Sequence, residues 1–483
     1  MKRLALLSGL LLGFFISADC TVRIVAAQPS HATTAADLPS WVKDVGARGA
    51  PKSGRVFTVK AVADGTTNST SEIQQAIDDC AKAGGGIVTL TPGNYVTGAL
   101  FLKSNVHLRI DKEVTLLGSQ EDSDYPSIPT RVAGIEMKWP AALINVNDAK
   151  NVRISGAGTI DGRGEKWWQK YYALRREYEP RGLRWASDYD AERVRLMVVW
   201  KSSDVTIENL SLKRSGFWTV QVVYSDHVTV DGISITDNKG PSTDGVDIDS
   251  SSYVLVQSCD IDNNDDDICL KAGRDYDGLR VNRPTEYVVI RNNITRRGGG
   301  MVSFGSETSG GIRHVVAYHN TGIGTNEGIR FKSAKTRGGF VEDILIRDIK
   351  MEKVTLPFTF TLNWNPSYSY ATIPKDEKNI PAHWVVMNTP VTPTERGYCE
   401  FRNIRIENVE IVNARRIFSA SGLAEKPIVD VTFANIDAQG GEAGTIEYAR
   451  DWKMRSVKLQ TRDGAPVKIS NSEKVESPVV VKQ

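Results

Sequence analysis

The chain is 483 residues long, with 60 Lys and Arg against 58 Asp and Glu, a net charge of +2. That balance gives no electrostatic case for nucleic-acid binding, and the length allows one large core or two ordinary ones. The cysteines are few and scattered, so they form no disulfide framework and show no metal-ligand spacing.

At the N-terminus, Lys2 and Arg3 precede an apolar run from Leu4 to Ile16, and Val25-Ala26-Ala27 offers small residues for cleavage before Gln28. This is the layout of an export signal, and the run is too short to span a membrane. Cys20 would suit a lipid anchor, but Asp19 before it fits a lipoprotein cleavage site poorly. The expectation is a signal peptide over 1–27, an N-terminal extension over 28–54 and one domain over 55–483. The protein is expected to be exported, periplasmic or extracellular, and monomeric.

Residues 70–83 read as a helix, with Ile73, Ala76, Ile77 and Cys80 on one face before Gly84-Gly85-Gly86. Beyond it a short pattern of alternating apolar residues recurs. It appears as Val152-Arg153-Ile154, Val205-Thr206-Ile207, Val228-Thr229-Val230 and Val254-Leu255-Val256. It returns as Val288-Val289-Ile290, Ile344-Leu345-Ile346, Ile404-Arg405-Ile406 and Val431-Thr432-Phe433. Such alternation means half-buried strands. Strands repeating without intervening helices mean a solenoid, here an all-β, single-stranded, right-handed parallel β-helix. Asn209, Gly232, Asn292 and Asn293 suit its corners, and the N-terminal helix would cap the open first coil. Irregular repeat length argues against a propeller. The tail beyond Arg450 is more polar, yet Val457-Lys458-Leu459 and Val467-Lys468-Ile469 retain strand alternation.

Two acidic stretches stand out, Ser242-Thr243-Asp244-Gly245 and Asn264-Asp265-Asp266-Asp267-Ile268. A fold that gathers such charges gains either a bound cation or carboxyls with separated pKa values. Alone, an Asp run is as readily a solvated turn. Arg330 and Lys332 alternate, so a strand presents both on one side. They form either a cationic pair for a sugar carboxylate, which Arg can grip with a bidentate fork, or an exposed basic face.

Several blocks combine into a more specific pattern. They are Asp64-Gly65-Thr66 with Ile73-Gln74-Gln75-Ala76-Ile77-Asp78, Thr159-Ile160-Asp161-Gly162, Ser215-Gly216-Phe217-Trp218, the two acidic stretches, and Arg330-Phe331-Lys332. In order and spacing, over residues 55–440, they resemble the polygalacturonase family of pectin-degrading glycoside hydrolases, family 28. Aligning Lys271-Ala272-Gly273 without a gap puts the family's Asp pair on Asp265 and Asp266, and leaves Asp267 where Cys is usual. The resemblance implies an inverting hydrolase of α-linked galacturonic acid in pectic poly- or oligosaccharides. Asp265 would be the general acid, with Asp244 and Asp266 sharing the base role. Arg330 and Lys332, with Lys271 and Arg274 close to the acids, would bind substrate. Inverting pairs sit ~6.5–9.5 Å apart, leaving room for a water. No metal is expected, and the glycine runs lack the setting of a phosphate loop, so no organic cofactor is either.

One departure concerns the family's Gly-His-Gly, whose place is taken by Gly298-Gly299-Gly300. The family's rhamnogalacturonan-cleaving members also have glycines there. A glycine would open space beside the acids and change the neighbouring sugar. Residues 165–192 and 355–398 read as aromatic-rich insertions over the cleft. Their rings would either meet sugar faces or pack the loops down. The first reading is therefore an exo-acting galacturonidase. The alternatives are a rhamnogalacturonan hydrolase, a Ca²⁺-dependent pectate lyase whose acids hold the ion, or a non-catalytic glycan-binding solenoid.

Overall fold

Period-two patterning folds here into three stacks of parallel strands. The computed structural model describes residues 38–51 and 54–483, so the stretch expected to be a signal peptide, with Cys20, lies outside the described residues. Among those described, no helix is long and apolar enough to cross a membrane. Residues 39–483 form one unit. Each coil lays its strands in register on those of the coil before. One face runs through Ser203–Glu208, Asp226–Asp231, Ser252–Gln257 and Thr285–Arg291. A second passes through Ser211–Lys213, Ser234–Thr236 and Asp260–Asn263. The third comprises Val220–Val223, Val246–Asp249, Ile268–Lys271, Gly300–Phe304, Glu327–Lys332 and Leu356–Thr361. The architecture is the expected right-handed parallel β-helix.

The corners explain the polar residues between strands. Asn209, Gly232 and Asn292 adopt positive φ, a conformation that Asn and Gly tolerate best. Asn293 instead stacks on Asn320, donating its backbone N–H to the Asn320 Oδ1 at 3.0 Å. At another corner the Ser225 N–H donates to Ser251 Oγ, and Ser202 N–H to Ser225 Oγ, both at 3.0 Å. Such ladders satisfy backbone groups that a bend takes out of the sheet.

The helix Thr70–Lys82 buries Ile73, Ile77 and Cys80 against the first coil. Gln74 accepts the Phe101 N–H at 2.8 Å and donates to its carbonyl at 3.0 Å, so the cap also occupies an otherwise free strand edge. Residues 39–49 of the N-terminal extension cross the first face. Gly46 N–H donates to the Tyr253 carbonyl at 2.8 Å, and Trp41 meets Tyr287 edge-on at 5.5 Å. At the far end the polar tail continues the ladder through Ala449–Thr461, Lys468–Ser470 and Val479–Lys482.

Three excursions leave the solenoid on the side of the third face. Two are the expected insertions, containing the helices Glu165–Tyr178 and Ala382–Met387, but the second begins only after Thr361, because Leu356–Thr361 is a strand of the third face with Phe358 and Phe360 in the core. The third is an antiparallel hairpin, Ser127–Val132 with Ile135–Pro140, which the sequence reading missed. They share a second apolar cluster including Val132, Trp139, Trp185, Tyr189, Phe217, Trp218 and Trp384. Trp167, Trp185 and Trp384 are buried, so of the two roles open to those rings they pack the loops down.

Candidate active site

The cleft lies on the outward side of the third face, because its inward side is the core. Reading across the coils, Val222, Ile248, Leu270, Phe304, Phe331 and Phe360 pair in one inward row. Gln221, Asp247, Cys269, Ser303, Arg330 and Thr359 pair in the neighbouring outward row. Asp249 and Lys271 pair one step further out. Asp244 and Asp265-Asp266 precede the strands Val246–Asp249 and Ile268–Lys271. They occupy the bend where adjacent side chains escape strict alternation. One carboxylate oxygen each from Asp244, Asp265 and Asp266 fall within 4.8 Å of one another. This is nearer than the expected spacing of an inverting pair. Oxygens this close can hold a single water between them by ordinary ~2.7–2.8 Å hydrogen bonds.

Electrostatics separate the three acids. Asp266 is fully buried and accepts from Lys332 Nζ at 2.6 Å, Ser303 Oγ at 2.7 Å and Arg330 Nη1 at 3.0 Å. Burial opposes its charge, but Lys332 and then Arg330 outweigh that and hold the carboxyl well below the usual range. Asp265 is more open to the cleft; burial and the Asp266 charge push it upward. Asp244 is raised well above its ordinary value by burial and by Asp247 and Asp265, against the pull of Lys271. Within the cluster the environment therefore favours the charged form on Asp266 and works against it on Asp244 and Asp265.

Lys271 sits among carboxylates, with Nζ 3.4 Å from Asp247 and 3.5 Å from both Asp244 and Glu307. It also lies 4.7 Å from the face of Trp218. Asp247 was not singled out in the sequence, although its outward place between two inward apolar residues could have flagged it. Neither of its oxygens finds a hydrogen-bond partner, and burial pushes it up to about 8. Asp267 is also buried, with both oxygens unpartnered and its carboxyl against Gly298. Burial raises it well above its ordinary value, a bias toward the neutral form in a place where Cys is usual.

Two expectations need correction. Arg274 is fully buried: it donates to Tyr189 Oη at 2.7 Å and to the carbonyls of Tyr368 and Ser369 at 2.8 and 3.1 Å. It ties the insertions to the coil that carries the acids, and offers nothing to a substrate. Gly299 and Gly300 do not open empty space beside the acids either. A Cβ on Gly300 would lie 2.4 Å from Ser303 Oγ and 2.9 Å from Asp266 Oδ1, while one on Gly299 would come within 3.2 Å of Asp265 Oδ1. The backbone itself fills the ground beside the acids.

The acids face a pocket lined by residues of the solenoid and of all three excursions. Ser242, Asp244, Asp265, Asp266, Lys271 and Lys332 form its floor, and Ala133, Arg184, Asp188, Trp364 and Tyr368 close it. The two long insertions leave different coils and meet. Arg181 pairs with Glu377 at 2.7 Å, and Trp185 packs on Trp384 at 5.0 Å. Asp190 accepts from His383 at 2.5 Å, and from Trp384 Nε1 and Tyr178 Oη at 3.0 Å each. The joined insertions thus stand over the pocket that the acids face.

A parallel β-helix with carboxyls and cations stacked on one outer face is the architecture of a polysaccharide-cleaving enzyme. Residues 85–373 match the model of glycosyl hydrolases family 28, and the chain belongs to that family. It is a glycosidase. It is 32% identical over 314 residues to a probable polygalacturonase of Vitis vinifera, a match covering 63% of this chain and 61% of that one. It is 27% identical over 467 residues to an exo-poly-alpha-D-galacturonosidase of Dickeya chrysanthemi, covering 86% and 75%. The crystal structure of an exopolygalacturonase from Thermotoga maritima superposes with a TM-score of 0.70 at 23% identity, covering 91% and 96%, and supports the fold.

Proposed function

We propose that this chain is an exo-acting galacturonidase, exported from the cell, that releases galacturonic acid from the ends of pectic chains with inversion. The single observation that carries exo action is the junction of the two insertions. An open groove admits a long chain anywhere along its length, whereas a groove closed by the Arg181–Glu377 and Trp185–Trp384 contacts admits an end. The names of the Dickeya and Thermotoga relatives agree with this reading. In the reaction Asp265, half-buried at the cleft and biased toward its protonated form, gives its proton to the glycosidic oxygen. Asp266, the acid favoured in its charged form, takes the proton of the attacking water as the water oxygen bonds to the anomeric carbon and the glycosidic bond breaks, and Asp244 beside it helps to orient that water.

The product profile on polygalacturonate tests this. Galacturonic acid alone from the earliest times supports exo action, and viscosity lost before monomer accumulates sinks it. The anomer released, followed by NMR, decides inversion. No release from folded protein moves the reading to a rhamnogalacturonan hydrolase, which Gly298-Gly299-Gly300 favours. The Ca²⁺-dependent lyase is opposed by the cations already present. Lys332 and Arg330 saturate Asp266, and Lys271 stands among Asp244, Asp247 and Glu307. A hard cation there would meet three fixed positive charges. Turnover should accordingly survive a chelator and yield no ultraviolet-absorbing product.

A further inference from the structure

A pocket that takes a galacturonate end needs a cation for the sugar's carboxylate, and those predicted for the task are engaged. Lys332 Nζ and Arg330 Nη1 are on Asp266, and Lys271 is held among three carboxylates. The exception stands on the wall. Arg184, carried by the first insertion, lines the same pocket. One terminal nitrogen pairs with Asp188 at 2.8 Å, and the guanidinium lies over the Tyr368 ring at 5.2 Å. Its other donors meet no acceptor among the described residues, and its side chain keeps 16% of its exposure.

Asp188 does not consume the charge of Arg184. Its other oxygen accepts from Arg193 Nη2 at 2.8 Å and from Ser242 Oγ at 2.9 Å. The carboxylate is shared between two guanidiniums, and the surplus positive charge sits on the one facing the pocket. The guanidinium lies against the Tyr368 ring, and Arg274 holds Tyr368 by donating to its backbone carbonyl at 2.8 Å. The guanidinium is therefore held between the Asp188 carboxylate and the Tyr368 ring on the pocket wall, so little conformational entropy is lost when it binds.

We infer that Arg184 is the residue that reads the carboxylate of the chain-terminal galacturonate, making the closed end selective for an acidic sugar rather than merely short. The inference rests on the exo-galacturonidase reading and adds to it the recognition element, which lies on the insertion and not on the solenoid.

The test uses the full-length exported protein and two substrates: digalacturonate, and the same disaccharide with its non-reducing-end carboxyl methyl-esterified. Wild type should turn over the free acid with a kcat/KM at least tenfold above that for the ester. Arg184→Gln should raise KM for the free acid tenfold or more with little change in kcat, and should bring the acid-to-ester ratio close to one. Arg184→Lys should recover part of that ratio. Loss of kcat/KM on both substrates by the same factor would assign Arg184 a purely structural role and overturn the inference. Should Arg184→Gln fail to fold, the ratio in Arg184→Lys decides, an unchanged ratio overturning the inference. No wild-type turnover of digalacturonate overturns both this and the exo-galacturonidase reading. Turnover with an unchanged ratio in the variants overturns this alone.

Discussion

Asp265→Asn and Asp266→Asn should both abolish turnover, yet they should differ sharply in stability. Asn is nearly isosteric with a protonated carboxyl, and Asp265 is pushed toward that form by burial and by Asp266. Its replacement should cost no more than about 1 kcal/mol of folding free energy, while removing the general acid lowers kcat by roughly 10²–10⁴. Asp266 is the counter-charge of Lys332 and Arg330, at 2.6 and 3.0 Å. Removing it leaves two buried cations uncompensated, and breaking one such pair costs about 3–5 kcal/mol. Glu327, 3.1 Å from Arg330 Nε, limits the loss on that side. The pH dependence has a definite sign. The folded-state pKa of Asp266 is depressed, so its stabilisation is present above its unfolded value near ~3.9 and is lost as pH falls through the folded one. The gap between wild type and Asp266→Asn in denaturant unfolding should thus be full at pH 6 and narrow at strongly acid pH. Equal destabilisation by the two variants, or an Asp266→Asn as stable as wild type at pH 6, would refute this division of charge.

Three further outcomes follow from the same geometry. Asp247 is raised to about 8 and has no hydrogen-bond partner. The folded state therefore holds its proton over a pH range where the unfolded state does not, and stability should decline from about pH 4 to pH 8. Asp247→Asn should flatten that slope, so the melting temperatures of the two proteins should diverge with rising pH; a constant difference would count against it. Asp190→Ala deletes the acceptor of His383, Trp384 and Tyr178. An orphaned buried donor costs about 1–3 kcal/mol, enough to loosen the junction, so viscosity of a long homopolymer should drop earlier relative to monomer release; an unaltered product profile would free the junction from any part in end selection. Gly300→Ala puts a methyl 2.4 Å from Ser303 Oγ and should cost about 1–3 kcal/mol along with most of kcat, measured by unfolding and by initial rates; a fully active, stable variant would mean the acids are not held by that close backbone.

The fold was legible because a solenoid repeats its evidence. Val, Ile and Leu at alternating positions recur coil after coil, and each recurrence stacks on the last. The cap helix could be read for the same reason, with Ile73, Ile77 and Cys80 on one face. The hairpin 127–140 could not. Its strands are short, and its residues are ordered by Trp139 and Val132 packing on rings from residues 183–218 and 384, a partnership with no local signature. The acids were found because like charges stand together at the bend before two strands and match the family's pattern, whereas Asp247 stands inside a strand and only its outward place in the alternation could have marked it. Arg274 was misplaced because its position beside the acids says nothing about its direction. Only the tertiary course of Tyr189 and Tyr368 reveals that it points into the protein. Arg184 was passed over because a chain-end wall is made by insertions, whose meeting point no periodicity encodes.

Stability and chemistry are coupled here through register. Phe304, Phe331 and Phe360 stack inside the third face with ring centroids 4.5 and 4.6 Å apart and planes within 3° of parallel. Their chain neighbours on the outward side are Ser303, Arg330 and Lys332. A slip of one residue in any of these strands would turn the rings to solvent and the cations to the core. The apolar energy that opposes such a slip is therefore what fixes Lys332 and Arg330 on Asp266 within hydrogen-bond distance. Because strand spacing is set at ~4.8 Å by the backbone, side chains contributed by successive coils arrive at a pitch suited to a water held between carboxyls. The solenoid supplies the pitch, the stacked phenyl rings supply the register, and the insertions supply the wall of the pocket the acids face.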